Sequence, residues 1–158
     1  METLIALLIL SIIAAVSMPY LYQAIKRIEL ESIAESTANG VAQLFAKARS
    51  LSIKEKEFYT FSQTPNGLKF SSVNGNLNYT TPQGISKRGS LSITKDGGTL
   101  TGSGTLCYVL GMFVEQKNDQ KYELLGNESL EIAVNIDDNP QATVTVQNSL
   151  ATFELKAD

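Results

Sequence analysis

The feature that most constrains this chain is a run of 23 positions without a charge, residues 3–25, TLIALLILSIIAAVSMPYLYQAI. At about 1.5 Å per residue, a helix of that length crosses the ~30 Å hydrocarbon core of a bilayer. Eleven of the positions are Leu, Ile or Val. Together they favour the membrane by roughly 3–7 kcal/mol on an insertion scale. A surface helix of a water-soluble domain carries a polar face, and none can be drawn here. The segment therefore calls for lipid or for the core of a helical filament. It is longer than the apolar part of a signal peptide, and no Lys or Arg precedes it, so it reads as a retained anchor.

Two residues depart from a plain anchor. Pro19 lies inside the apolar run, where it removes a backbone hydrogen bond and crowds the preceding turn. The sequence thus predicts a kink or a loosened helix near residues 15–19. Glu2 is the only charge in the first 25 positions. A carboxylate at the edge of hydrocarbon either sits in interfacial water or meets a cation, such as the terminal amine of a neighbouring subunit. At ~4 Å and an effective dielectric near 20, that attraction is worth about 4 kcal/mol. Lys26 and Arg27 follow the run. Taken alone, this basic pair would leave the C-terminal part in the cytoplasm, and a basic leader ahead of the numbering would reverse that orientation.

The helical pattern continues beyond the anchor. Leu30, Ile33, Ala34, Thr37, Val41, Leu44, Phe45, Ala48 and Leu51 recur at spacings of three and four and form one apolar stripe. Glu29, Glu31, Glu35, Gln43, Lys47 and Arg49 occupy the other face. Such a stripe packs on a sheet. Asn39-Gly40 is its weak point, since glycine costs about 1 kcal/mol relative to alanine in a helix. Residues 2–53 would form a rod of about 78 Å at the α-helical rise. A globular domain of this size does not need such a rod, so its first half needs partners outside the chain.

After the charged connector Lys54-Glu55-Lys56-Glu57, the pattern becomes short and β-like. Strands are predicted at 57–62, 68–73, 76–80, 90–94, 105–114, 121–125, 129–136, 142–147 and 150–156. Turn signals separate them at Thr64-Pro65-Asn66-Gly67, Asn74-Gly75, Pro82-Gln83-Gly84, Asp96-Gly97-Gly98 and Asp137-Asp138-Asn139-Pro140. The polar, Gly-rich stretch 95–104 reads as a surface loop. The expected fold class is α+β: a long N-terminal helix, hydrophobic in its first half and amphipathic in its second, packed on an antiparallel sheet of six to nine strands. The expected divisions are a transmembrane or filament-core helix at 1–25 and a soluble head at 26–158, with its helix at 26–53 and its β-rich part at 57–156.

Little in the chain suggests catalysis. There is no histidine and one cysteine, Cys107, flanked by Leu106 and Tyr108 and read as a buried small hydrophobe. A His/Cys zinc site is excluded by count, and no phosphate-cradling loop is present. Asp137 and Asp138 offer hard oxygens as weak candidates for a cation, but calcium requires six or more oxygen ligands, so an acidic turn is the simpler reading. No cofactor is expected. Net charge is −3, and Lys87-Arg88 is a single basic pair, so nucleic acid is not an expected partner. Asn78-Tyr79-Thr80 and Asn127-Glu128-Ser129 match the glycosylation sequon, a short motif common by chance.

The run from Met1 to Pro19 resembles the mature N-terminus of the type IV pilin-like family: pilins, minor pilins and type II secretion pseudopilins. Those proteins carry a glutamate near the start, an unbroken apolar run and a helix-loosening proline, at the separation that Glu2 and Pro19 show here. More weakly, residues 41–53, VAQLFAKARSLSI, are similar to the helix end of H-type pseudopilins. The family's processing site and basic leader do not appear, and the sequence reads as one that starts a few positions inside the usual mature protein. The resemblance implies a non-enzymatic filament subunit. It would be held in the inner membrane, with its head outside the cytoplasm, until it joins copies of itself and other pilin-like subunits. Glu2 would set register against a neighbour, and Pro19 would let the helix bend. The alternative from another class is a membrane-anchored binding module whose β-rich head recognises a ligand.

Overall fold

The computed structural model describes residues 2–82, 89–95, 98–99, 106–116, 122–124, 129–147 and 149–155, with side chains described from residue 5 except at 98–99 and 122–124. It is an α+β chain: one long N-terminal helix followed by two antiparallel sheets. By contacts it divides into two compact units, Met1–Ser32 and Ile33–Asp158.

Helix α1 runs Glu2–Glu55, two residues beyond the expected end. Ala, the best helix former, is its most frequent residue, and Leu is among those next in number. Lys54 in the last turn suits the negative end of the helix dipole. The helix stops where Lys56 takes a left-handed conformation (φ 55°), which turns the chain out of the helix.

In the second unit the strands are β1 (Tyr59–Thr64), β2 (Gly67–Ser71), β3 (Asn76–Thr80), β4 (Gly89–Lys95), β5 (Gly98–Thr99), β6 (Leu106–Val109), β7 (Met112–Gln116), β8 (Tyr122–Leu124), β9 (Leu130–Ile136), β10 (Asn139–Gln147) and β11 (Leu150–Leu155). The first sheet has the order β3-β2-β1-β6-β7-β8 and the second β11-β10-β9-β4-β5. Two differences from the sequence-based expectation stand out. Of the strand expected at 105–114, residues 106–114 form a hairpin instead, because Leu110 (φ 49°) and Gly111 (φ 82°) make a tight two-residue turn between paired Val109 and Met112. The strands also divide into two sheets, not one. Of the Gly-rich stretch expected to be a loop, Lys95 ends β4 and Gly98–Thr99 pairs with it as β5; 96–97 and 100–104 lie outside the described residues.

The core of the head begins at Ile33. Ile33, Ala34, Thr37, Ala38, Val41, Leu44, Phe45, Ala48 and Ser52 are buried along α1. Phe45 is the centre of the contact with the first sheet. Its ring lies 5.0 Å from Phe70, 5.4 Å from Phe61, 5.7 Å from Phe113 and 6.3 Å from Tyr108. Three of these four are edge-on arrangements, which suit the ring quadrupoles. Alternation supplies the second sheet's apolar face: Leu130, Ile132, Val134 and Ile136 from β9, and Ala142, Val144 and Val146 from β10, are all buried. The two sheets are tied by Gln63 Nε2 donating to the Leu91 carbonyl at 2.9 Å and by the Lys95–Glu115 ion pair at 2.5 Å.

Candidate functional site: an exposed apolar helix and the clefts of the head

In the first unit, every large apolar side chain from Ile5 to Ile28 is exposed, between 52% and 71%. That is the reverse of a core helix and matches the absence of a polar face in the sequence. This helix is long and apolar enough to cross a membrane, and its apolar window is not buried at all within the chain. The one hydroxyl described early in the run is already satisfied: Ser11 Oγ donates to the Leu8 carbonyl at 2.8 Å. A hydroxyl bonded within its own helix carries no unmet polar demand into lipid. The helical assignment continues without a break across Pro19. Glu2 starts the helix, and its side chain lies outside the described residues.

Asp137 (φ 50°) and Asp138 (φ 65°) are the two central residues of the turn that joins β9 to β10, between paired Ile136 and Asn139. Both φ values are positive, as a type I′ turn requires, and Asp tolerates that region better than most residues. The acidic pair is therefore a hairpin turn. It also lines a cleft of about 570 Å³ with Pro65, Asn66, Thr80, Thr81, Gly89 and Ser90. Thr81 fastens one wall of the cleft: its amide and hydroxyl both donate to the Asn66 carbonyl, at 2.9 and 3.0 Å. Among the described residues, no group of three or more His, Cys, Asp or Glu side chains could hold a metal ion. Lys87-Arg88 and Asn127-Glu128 lie outside the described residues, while Asn78 sits on the exposed side of β3.

The perturbed titratable groups of the head serve packing. Cys107 is buried, and burial pushes its thiol up to about 11, so the nucleophilic thiolate is scarce at neutral pH. The Tyr108 phenol is raised by burial as well and donates to the Ser149 carbonyl at 3.1 Å. Tyr59 donates to Glu55 at 2.5 Å, and that bond, followed by burial, raises its phenol. These groups join elements to one another.

One arrangement was not legible in the sequence. At the end of α1, Arg49 Nε donates to the Gly111 carbonyl at 3.2 Å. The Gly111 amide donates to Ser52 Oγ at 3.0 Å, and Ser52 Oγ donates in turn to the Arg49 carbonyl at 2.8 Å. The β6–β7 turn is thereby clasped to the helix. Beside it, Ala46, Arg49, Ser50 and Ile53 share a pocket of about 250 Å³ with Ser149, Leu150 and Ala151. Glycine inside the apolar stretch YVLGMF was the available signal, since strand glycines mark bends.

A helix fit to span a membrane, followed by a β-rich head, is the build of a membrane-anchored protein. No family model, curated protein or solved structure matches the chain.

Proposed function

We propose that this chain is a non-enzymatic structural subunit of a type IV pilin-like filament, either a pilus or a type II secretion pseudopilus. The observation that carries this reading is the division of work along α1. Its first part exposes apolar side chains all round, and its second part buries a stripe under a β-rich head. A simple anchor satisfies its apolar surface with lipid for good. A pilin-like subunit first rests in the inner membrane with its head outside the cytoplasm. It then moves sideways into a bundle of neighbouring helices, its own copies and related subunits, which replace lipid. Pro19 leaves one carbonyl of the apolar helix without its usual donor and so gives a place where the helix can stretch. Glu2 pairs with a neighbouring subunit's amine and sets register. The subunit uses no cofactor and no nucleic acid.

The test is to shear surface filaments from cells making the full chain and to probe them by immunogold electron microscopy. Regular labelled filaments are expected. A chain that stays wholly in the membrane fraction as a monomer would overturn the proposal. That outcome would favour a membrane-tethered binding module, the reading to which the cleft of about 570 Å³ beside Asp137 and Asp138 lends itself. Glu2→Ala should sharply reduce filament yield; assembly at the wild-type level would remove the register role.

A further inference from the structure

We infer that residues 20–27 form a binding surface for the headgroups of anionic phospholipids, with Lys26 and Arg27 as the phosphate-contacting cations. This inference rests on the anchoring of the helix in a bilayer, not on filament assembly.

Glu2 and Lys26 bracket the charge-free run and are 24 residues apart, about 36 Å along a helix. The hydrocarbon core takes up ~30 Å, so both charges reach an interface with a few ångströms to spare. The two turns before Lys26, residues 20–25, then run up to the headgroup level. They carry Tyr20 and Tyr22, 71% and 59% exposed, and tyrosine is favoured near that level because one end of the ring is apolar and the other polar.

Tyr22 does more than mark depth. Lys26 Nζ stands 4.4 Å from its ring centroid. A cation held on a ring face gains strength as water withdraws, and an ammonium has three donors, so N–H groups remain for phosphate oxygens. Arg27 Nε lies 3.4 Å from Glu31 Oε1, one helical turn further from the bilayer, in a pair with both side chains more than half exposed. Such a pair is weak in water. A phosphodiester at the interface offers the guanidinium a bidentate acceptor and competes well for it.

Charge complementarity selects the occupant. Lys26 and Arg27 are the first cations of the sequence, and Glu29, Glu31 and Glu35 follow within nine residues. The whole chain is acidic, with net charge −3, so the basic pair is not part of a general cationic surface. A positive band set directly against the apolar run, with carboxylates beyond it, fits an anionic membrane surface.

The chain has no tryptophan, so Tyr22→Trp places a single indole at this level, and indole holds a cation at least as well as phenol. The full chain carrying this substitution would be reconstituted in phosphatidylcholine vesicles. A minor fraction of lipid would be brominated, as phosphatidylglycerol in one sample and phosphatidylcholine in the other. Quenching should give an association constant for the anionic lipid roughly threefold or more above that for the zwitterionic one, given the attraction of two cations to an anionic surface. Lys26→Gln/Arg27→Gln, or 1 M salt, should bring the ratio close to one. Equal quenching by the two lipids, or a preference that survives the double substitution, would overturn the headgroup site and leave anchoring intact. Absence of quenching by either lipid would overturn anchoring and the site together. Inorganic phosphate added at matched ionic strength should leave the preference unchanged; its loss would assign the cations to free phosphate instead.

Discussion

At the scale of single residues, Cys107 gives the clearest quantitative expectation. Its thiol is raised from an ordinary 9.0 to about 11 in the folded head, with burial as the cause. The folded state therefore holds a proton that the unfolded state releases, and stability must fall as pH rises from about 9 to about 11. Below pH 9 the contribution is fully present. Chemical denaturation of the detergent-solubilised chain across that range should show the decline, and Cys107→Ala should remove its onset between about pH 9 and 10, below the range where the raised Tyr59, Tyr79 and Tyr108 phenols add their own decline. A wild-type profile as flat as the variant's would show that the thiol is not protected. Much at this scale was readable in advance. A cysteine between Leu106 and Tyr108 announces burial, and two aspartates before Asn139-Pro140 announce a turn. The bonds joining Arg49, Ser52 and Gly111 were not readable, because 59 or more residues separate the turn from the helix and no local pattern encodes that meeting.

At the scale of elements, Gly40 shows how a contact between a helix and a sheet overrides local propensity. Glycine lowers the stability of a helix interior by about 1 kcal/mol relative to alanine. Here the Tyr79 ring of β3 occupies the space a Cβ would need: its Cε2 would lie 2.2 Å from that atom. Gly40→Ala must displace the ring, and displacement of this kind costs about 1–3 kcal/mol. The expected result is a neutral or destabilised protein. In a Tyr79→Ala background the clash is gone, and the same substitution should stabilise by about 1 kcal/mol. Thermal or urea unfolding of the four proteins would measure the coupling, and an equal effect in both backgrounds would refute the contact. The helix, its buried stripe and most strands were legible because periods of 3.6 and 2 are written directly into residue order. The partition into two sheets was not. Strand order depends on which distant edges meet, as where β1 pairs with both β2 and β6, and the alternation within each strand is the same either way. The splitting of 105–114 was missed for a related reason: apolar residues flank Gly111 on both sides, so no break in hydropathy marks the turn.

At the scale of the whole molecule, the sequence placed a division close to the end of the apolar run, at residues 25–26, and contacts place one at Ser32–Ile33. Among the described residues, every side chain in the buried core belongs to Ile33 or to a residue after it. The described residues before Ile33 therefore add apolar surface but no core. A chain beginning at residue 33 should keep the full set of core contacts, including the Phe45 cluster, and lose only surface that water disfavours. It should be soluble without detergent and monomeric by light scattering. Its urea midpoint and slope should both match those of the head in the detergent-solubilised full chain, because the same core contacts are lost and the same apolar area is exposed on unfolding. The full chain without detergent should aggregate, as side chains more than half exposed from Ile5 to Ile28 form a larger apolar surface than a monomer tolerates. A truncated head that failed to fold, or that unfolded at a much lower urea concentration, would show that the first 32 residues support the head. The exposed helix could not then be a separate element free to exchange lipid for neighbouring helices.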